Sequence, residues 1–470
     1  MRQSSAPDTQ AAIELYRLSP YRVAPGLLRS VALVKEAAAQ CNGALGYLDS
    51  GTTEVLVASC RRLRALSDPE LGGELPLDAF QGGAGTSVNM AVNEWIARDA
   101  SESGVAIDPH GQVNLHQSTN DVMPTALRLM MHDLLVELEE ATEALQGELQ
   151  EAETRYDGLL KTARTQLRDA VVTSLGREFG TWAHAVARDR WRCFKARERI
   201  REVNLGGTAI GSGTGAPRRY VLGVVRHLQE LVEHPISRAE HLIEATSNYD
   251  QIVEAMEAPR CLAVNLRRVA SDLRLLASGP ASAVGELRLP QLVRGSSIMA
   301  GKVNPVVLEA VIQCAERILA NDGLIARLAA MSELELNAFF PAIAHSVHES
   351  LSLALGATRA LSGYLPLLEP DEQRCALGLA RSYAEVVALL PLVTYTECET
   401  LLATAKARGL SLRRYLEDNG LISETDGQAI FAPKNLTALG YDEALYRDIR
   451  ERWASKIRAH IDQISDGKEK

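Results

Sequence analysis

The sequence predicts an all-α protein organised around a bundle of long helices. Three observations carry that reading. From Pro124, "PTALRLMMHDLLVELEEATEALQGELQEAETRYDGLL" places apolar residues at 3- and 4-residue steps for roughly thirty positions, against about 11–12 residues for a mean helix. Long amphipathic stretches recur near 174–203, 251–277 and 305–330, and repeated long helices of this kind make a bundle. Aromatics are only 5% of the residues while Ala and Leu dominate, a bias that favours packed helices over sheets.

The elements follow in order. Residues 24–70 read as two helices broken near "YLDSGTTE". A glycine cluster, "QGGAGTSVNMAVNEWIA" (Gln81 to Ala97), and a polar loop, "DPHGQVNLHQSTND" (Asp108 to Asp121), precede the first long helix. After "LEPDEQ" (Leu368 to Gln373) the pattern shortens, and "ARGLSLRRYLEDNGLISETD" reads as a small helical appendix. No internal repeat, low-complexity tract or sheet is evident.

Composition narrows the function. A chain of 470 residues with 46% hydrophobic residues has room for two or three domains and a large core. A net charge of −10 argues against a general nucleic-acid binder, which needs clustered cations for phosphates. The one basic stretch, "RDRWRCFKARERIREV" (Arg188 to Val203), has acids interleaved at helical spacing and reads as a solvated or subunit-facing helix. No run of ~18 apolar residues is present, so no membrane span is expected. The polar "MRQSSAPDTQ" lacks a signal-peptide apolar region. Seven scattered cysteines, with no CxxC pair, predict free thiols in a cytoplasmic protein and no metal site.

The chemistry collects where loops enter helices. In "GGAGTSVNM", Thr86 is placed to cap the following helix. In "HQSTNDVMP", Ser118, Thr119, Asn120 and Asp121 precede Pro124, which suits a first helical turn. In "GKVNP", Asn304 is a good cap and Pro305 a good first residue, so Lys302 stands ahead of a helix N-terminus that favours an anion. Thr165 and Gln166 interrupt the charged segment "KTARTQLRDA". Taken singly, each cluster reads better as a simple helix cap. Together, Thr86, Ser118, Thr119, Asn120, Thr165, Ser297 and Asn304 supply neutral donors and Lys302 one cation, which is equipment for a small dicarboxylate. Glu309 is the only charge in the apolar run "PVVLEAVIQCA", where an acid has either an ion-pair partner or a catalytic task.

Three other signals are discarded. "RGSSIMAGKVNP" is not a P-loop: five residues separate Gly295 from Gly301, and Val303 follows Lys302. "GSGTGA" (Gly211 to Ala216) matches GxGxxA, but Pro217 follows and no strand–helix–strand unit surrounds it. "HSVHE" (His345 to Glu349) is not HExxH and has no evident third ligand.

"GSSIMAGKVNP" resembles the signature loop of the fumarase/aspartase superfamily. "GGAGTSVNMAVNEWIA", "VNLHQSTNDVMPTA", "RTQLRDAVVTSLGREF", "EVNLGGTAIGSGTGAP" and "DLRLLASGP" are similar to the same family's blocks, in order and at its spacing, from about Ala12 to Tyr441. Within the family the chain is more similar to the aspartase branch than to class II fumarases, which carry His at the position of Gln166.

The resemblance implies a three-domain fold: an N-terminal helical domain (1–122), a central bundle with the signature loop (123–370) and a small C-terminal domain (371–470). It implies a homotetramer with a twenty-helix core, each active site drawing on three subunits, and no cofactor. The implied activity is a C–N lyase that eliminates ammonia from L-aspartate to give fumarate. Ser296 takes the Cβ proton, and an aci-carboxylate forms. Thr86, Ser118, Thr119 and Ser297 face one carboxylate, and Thr165, Lys302 and Asn304 the other. Asn120 and Gln166 face the leaving group.

The chain departs from the family in places. Ala300 replaces a proline of the signature loop, Ala11 stands where an arginine belongs after Thr9, and "DPHGQVN" and "LLPLVTYTE" (389–397) depart from the usual pattern. These departures leave open a modified nitrogen leaving group, such as an N-substituted or N-oxidised aspartate. A fumarate hydratase and a helical scaffold without activity are further alternatives.

Overall fold

The computed structural model describes residues 6–465 except His234. Helix dominates, as expected. Long helices include Thr119–Arg155, Leu175–Arg199, Glu257–Leu276, Val306–Ala329 and Phe340–Tyr364. The described residues group into two compact units, each built from three chain segments.

The first unit runs to Ala144 and adds Val186–Arg268 and Glu309–Leu361. Helix Pro25–Ala44 opens with proline in its first turn, where the missing N–H costs nothing. Helix Ser50–Ala65 is capped by Asp49, whose Oδ1 accepts from Thr52 N–H at 2.9 Å. The two pack on each other, and the first also packs on Arg218–Gln229, burying Val31, Ala32, Val34 and Ala38. Residues 121–132 of the long helix are buried on every side. Beyond them burial returns to one stripe, with Leu135, Leu138 and Ala141 inside.

The second unit comprises Leu145–Ala185, Val269–Leu308 and the chain from Ser362 onward. It contains an antiparallel hairpin, Leu160–Thr165 with Arg168–Ser174, which packs on helix Glu372–Ser382. The expectation of no sheet is therefore corrected. The periodic run read as helix to Leu160 stops at Arg155, and Thr165 and Gln166 lie at a turn. Leu287–Arg288 pairs with Glu369–Pro370, a second short antiparallel ladder. The C-terminal appendix has its own core of Leu401, Leu412, Tyr415, Leu416, Ile430 and Ile449.

No helix among the described residues is long and apolar enough to cross a membrane. All seven cysteines are free.

Candidate active site

The expected site residues fall into two sets, one within each unit. In the first unit, the backbone at Gly85 has φ +93°, and an added Cβ would meet Phe340 and Met123 at 3.2–3.3 Å. Gly85 is the residue before helix Thr86–Ser101, so Thr86 is its first member and not its cap. Its Oγ1 donates to Gly83 O at 2.7 Å, and the side chain is exposed.

Helix Thr119–Arg155 begins earlier than Pro124 predicts, which puts that proline in the second turn. Proline cannot donate to the carbonyl four residues back. The carbonyl left over, Asn120 O, accepts instead from Asn204 Nδ2 at 2.9 Å. Asn120 in turn donates through Nδ2 to Ala209 O at 2.7 Å. Asp121 completes the brace. It is fully buried, and its carboxylate accepts from Ser118 N–H at 2.9 Å and from Gly206 and Thr208 N–H at 3.0 Å. Burial pushes this carboxyl up to about 6 despite those three donors.

Lys35 lies buried nearby, lowered to about 7 by desolvation and raised in part by the Asp121 charge. Its Nζ donates to Asn114 Oδ1 at 2.8 Å, an oxygen that also accepts from Asn89 and Asn93 Nδ2 at 3.2 Å. Thr119 points into this polar cluster, its Oγ1 3.4 Å from Asn89 Nδ2. Ser118 Oγ accepts from Asn120 N–H at 3.3 Å. Sequence reasoning did not single out Lys35, Asn114 or Asn204. A lysine inside the apolar run "SVALVKEAAAQ" was the available signal.

In the second unit, Thr165 and Gln166 are exposed at the hairpin turn. Thr165 pairs with Arg168, leaving a two-residue turn with Gln166 at φ +53° and Leu167 at φ +60°. Positive φ at both central positions is what a tight hairpin requires, and glycine or asparagine usually supplies it. Here two larger residues carry that strain.

The signature loop is pinched at its stem. A Cβ on Gly295 would collide with Lys302 O, so only glycine lets the two strands of the loop approach. Asn304 Nδ2 donates to Gly295 O and closes the stem. This corrects the cap assignment: the helix starts at Val306, and Asn304 serves the loop rather than the helix end. Above the stem, Ser297, Gly301 and Lys302 are exposed. Ser296 Oγ accepts from Met299 N–H at 2.9 Å and Ile298 N–H at 3.2 Å.

Glu309 lies in the first turn of helix Val306–Ala329, within the first unit. It is half-buried rather than enclosed, because the inward stripe there is Leu308, Val311 and Ala315. Gly211–Ala216 is a chain of turns between the short strand Glu202–Val203 and helix Arg218–Gln229. His345 and His348 lie on helix Phe340–Tyr364, both lowered by burial.

A lyase family model matches residues 6–320. The chain is 33% identical over 440 residues to an aspartate ammonia-lyase of a Bacillus species, covering 92% of this chain and 93% of that one. The chain belongs to the fumarase/aspartase superfamily. It is an enzyme of the carbon–nitrogen lyase type. A class II fumarate hydratase of Corynebacterium efficiens is 34% identical over 430 residues, covering 90% of this chain and 89% of that one. Among solved structures, the fumarate lyase:delta crystallin of Brucella melitensis bound to cobalt superposes with a TM-score of 0.85 at 35% identity, covering 91% of this chain and 94% of that one. The superfamily's mostly helical fold is thus the fold of this chain.

Proposed function

We propose that this lyase eliminates ammonia from L-aspartate to give fumarate, with Ser296 as the base. The observation that carries the proposal is the pair of N–H groups on Ser296 Oγ. A serine hydroxyl is a poor base in water. Two backbone donors aimed at its oxygen lower the cost of the alkoxide, as oxyanion holes do. Removing the Cβ proton leaves a carbanion that delocalises into the neighbouring carboxylate. Thr86, Ser118, Thr119 and Ser297 are assigned to that group, and donors that strengthen as its charge grows lower the barrier. Thr165, Lys302 and Asn304 hold the other carboxylate. Asn120 and Gln166 face the leaving ammonium, which departs without needing an acid. Hydroxide, leaving from malate, needs one, and Gln166 cannot supply a proton. Glu309 is kept as an accessory group of the site, by its place seven residues after Lys302.

Completion of the site by other subunits is proposed from the family resemblance. Exposed apolar side chains on the long helices, Trp191, Phe194 and Val264, fit subunit contacts in the proposed homotetramer. The three-domain division is proposed on the same footing.

A second leaving group has specific support. Ala11 is exposed on helix Pro7–Leu15, so no cation arises at the position where the family has arginine. A substituted nitrogen on the succinate skeleton fits a site that lacks that charge. The test follows fumarate absorbance with L-aspartate, malate and a panel of N-substituted aspartates. Release from aspartate and none from malate supports the ammonia-lyase. Release only from a substituted analogue replaces it with the second reading. Turnover of malate alone sinks both.

A further inference from the structure

Both active-site segments of the second unit converge on one buried acid that no catalytic role claims. Glu286 is 1% exposed. Its two oxygens take a forked contact from Arg164, Nη2 to Oε1 at 2.7 Å and Nη1 to Oε2 at 3.1 Å. Lys161 Nζ adds a third contact at 2.8 Å, and also reaches Glu178 at 2.6 Å. Lys161 is itself fully buried. The four charges sum to zero, and a planar guanidinium on a carboxylate fixes direction as well as distance.

Position gives the network its meaning. Arg164 immediately precedes Thr165 and the strained turn at Gln166. Glu286 is the last residue before the strand Leu287–Arg288 that leads into the signature loop. Its backbone is also fully engaged, N–H to Leu276 O at 2.8 Å and C=O from Asp371 N–H at 2.9 Å. Past Pro290 the chain is exposed until Gly295. Glu286 is therefore a buried anchor where the loop's fixed root meets the hairpin.

We propose that Glu286 is a positioning residue whose charge holds the Thr165–Gln166 turn and the root of the Ser296 loop in one rigid frame. A neutral isostere keeps the volume and loses the frame. Glu286→Gln leaves Lys161 with Glu178 but releases Arg164, which is 20% exposed and can turn to water. The turn loses its support on one side and the loop root on the other. This inference rests on the assignment of those two segments to the site, and its test is chosen to separate the two.

The experiment is hydrogen–deuterium exchange on the full-length wild type, Glu286→Gln and Glu286→Asp, read at residues 160–174 and 289–305. The expected result is exchange faster by about 10-fold at both segments in Glu286→Gln, with the C-terminal core unchanged. Glu286→Asp, which keeps the charge, restores part of the protection. On whichever amino-succinate the wild type turns over, kcat falls and KM rises together, a loss of about 10²-fold in kcat/KM. Arg164→Gln, at a partly exposed position, gives the same pattern and serves if Glu286→Gln does not fold. Unchanged exchange at both segments overturns the proposal, as does a lower Tm with kinetics and exchange intact. If the wild type turns over none of the substrates, the functional assignment fails while the exchange data still decide the frame.

Discussion

The turn at Ser118–Asp121 and the loop at Gly295–Lys302 both present serine to a proposed dicarboxylate, and the chain holds them in opposite ways. The first is braced from within. Asp121, Asn120 and Asn204 tie it to the segment 204–209 through four hydrogen bonds of ordinary length, a fifth closes the turn from Ser118 N–H to Asp121, and much of it is buried. The second is closed at its stem by Asn304 on Gly295, its other hydrogen bonds run within the loop to Ser296 Oγ and Met299 O, and its tip stands in solvent. The contrast separates two tasks. Groups that bind a fixed carboxylate gain from rigidity, since ordering them at binding costs nothing further. A base that works only in a dry site gains from a loop that opens to admit substrate and closes over it.

The largest expected effect lies on the loop. Ser296→Ala removes the oxygen that both N–H groups address. Turnover should fall by about 10⁴-fold, the upper range for a general base, with the oligomer and Tm unchanged. Size-exclusion chromatography beside fumarate release checks this. Activity near the wild-type level would sink the base assignment. The matched change in the braced turn is Asp121→Ala. It strands two buried N–H groups and a half-buried one, so stability should drop by about 2–4 kcal/mol, read by urea unfolding. The same variant should lower kcat more than it raises KM, because Ser118 is assigned to the carboxylate whose charge grows in the transition state. The reverse split would mean that the turn only binds the ground state.

The two regions also differ in what sequence could reveal. The helix following each was legible, because apolar spacing survives in 119–155 and 306–329. The loop itself was legible through its glycines and its lone lysine. The brace was not, because its members are scattered over 35, 114, 121 and 204 and meet only in the fold. The hairpin failed for a different reason. Its inward-facing residue Lys161 is charged, so the strand shows no apolar alternation. Glu286, its partner, reads as an ordinary surface acid until the structure shows it at 1% exposure. Thr86 and Asn304 were assigned as caps because their residue types favour that place. One is a first helical residue and the other a stem clasp, since glycine and a close backbone approach set those local geometries.

The brace carries a pH signature. Asp121 titrates near 6 in the folded chain against 3.8 when free, so the folded state holds the extra proton between those values. Stability from this group therefore falls as pH rises through that window. Lys35 titrates near 7 against 10.5 when free, so there the unfolded chain holds the extra proton. Stability from Lys35 rises as pH climbs from 7 toward 10.5. The pair contributes least near neutrality, where both groups are charged and buried. Comparing Tm for the wild type and the double variant Lys35→Met/Asp121→Asn at about pH 5, 6.5 and 9 tests this. The wild type should compare worst at the middle value. A constant difference would remove the buried pair from the account.

The smallest expected effect sharpens the contrast from the loop's side. Ala300 stands where the resemblance implies proline, and its φ is not among the positive values that proline forbids. Among the described residues no backbone acceptor of its N–H is found, so Ala300→Pro breaks no backbone hydrogen bond there. Proline narrows the open loop's conformations more than the closed loop's. At a compatible site that is worth about 0.4–1 kcal/mol. If closure of the loop limits the rate of capture, kcat/KM should rise by about 2- to 5-fold, the same energy expressed as a rate. The same substitution leaves the braced turn untouched, so the contributions of Ser118 and Asn120 stay put. A gain confined to kcat/KM would make the loop's entropy the adjustable part of this enzyme. A loss would mean that residue 300 must move through conformations proline denies it, and that Ala300 is a requirement of this chain's own substrate.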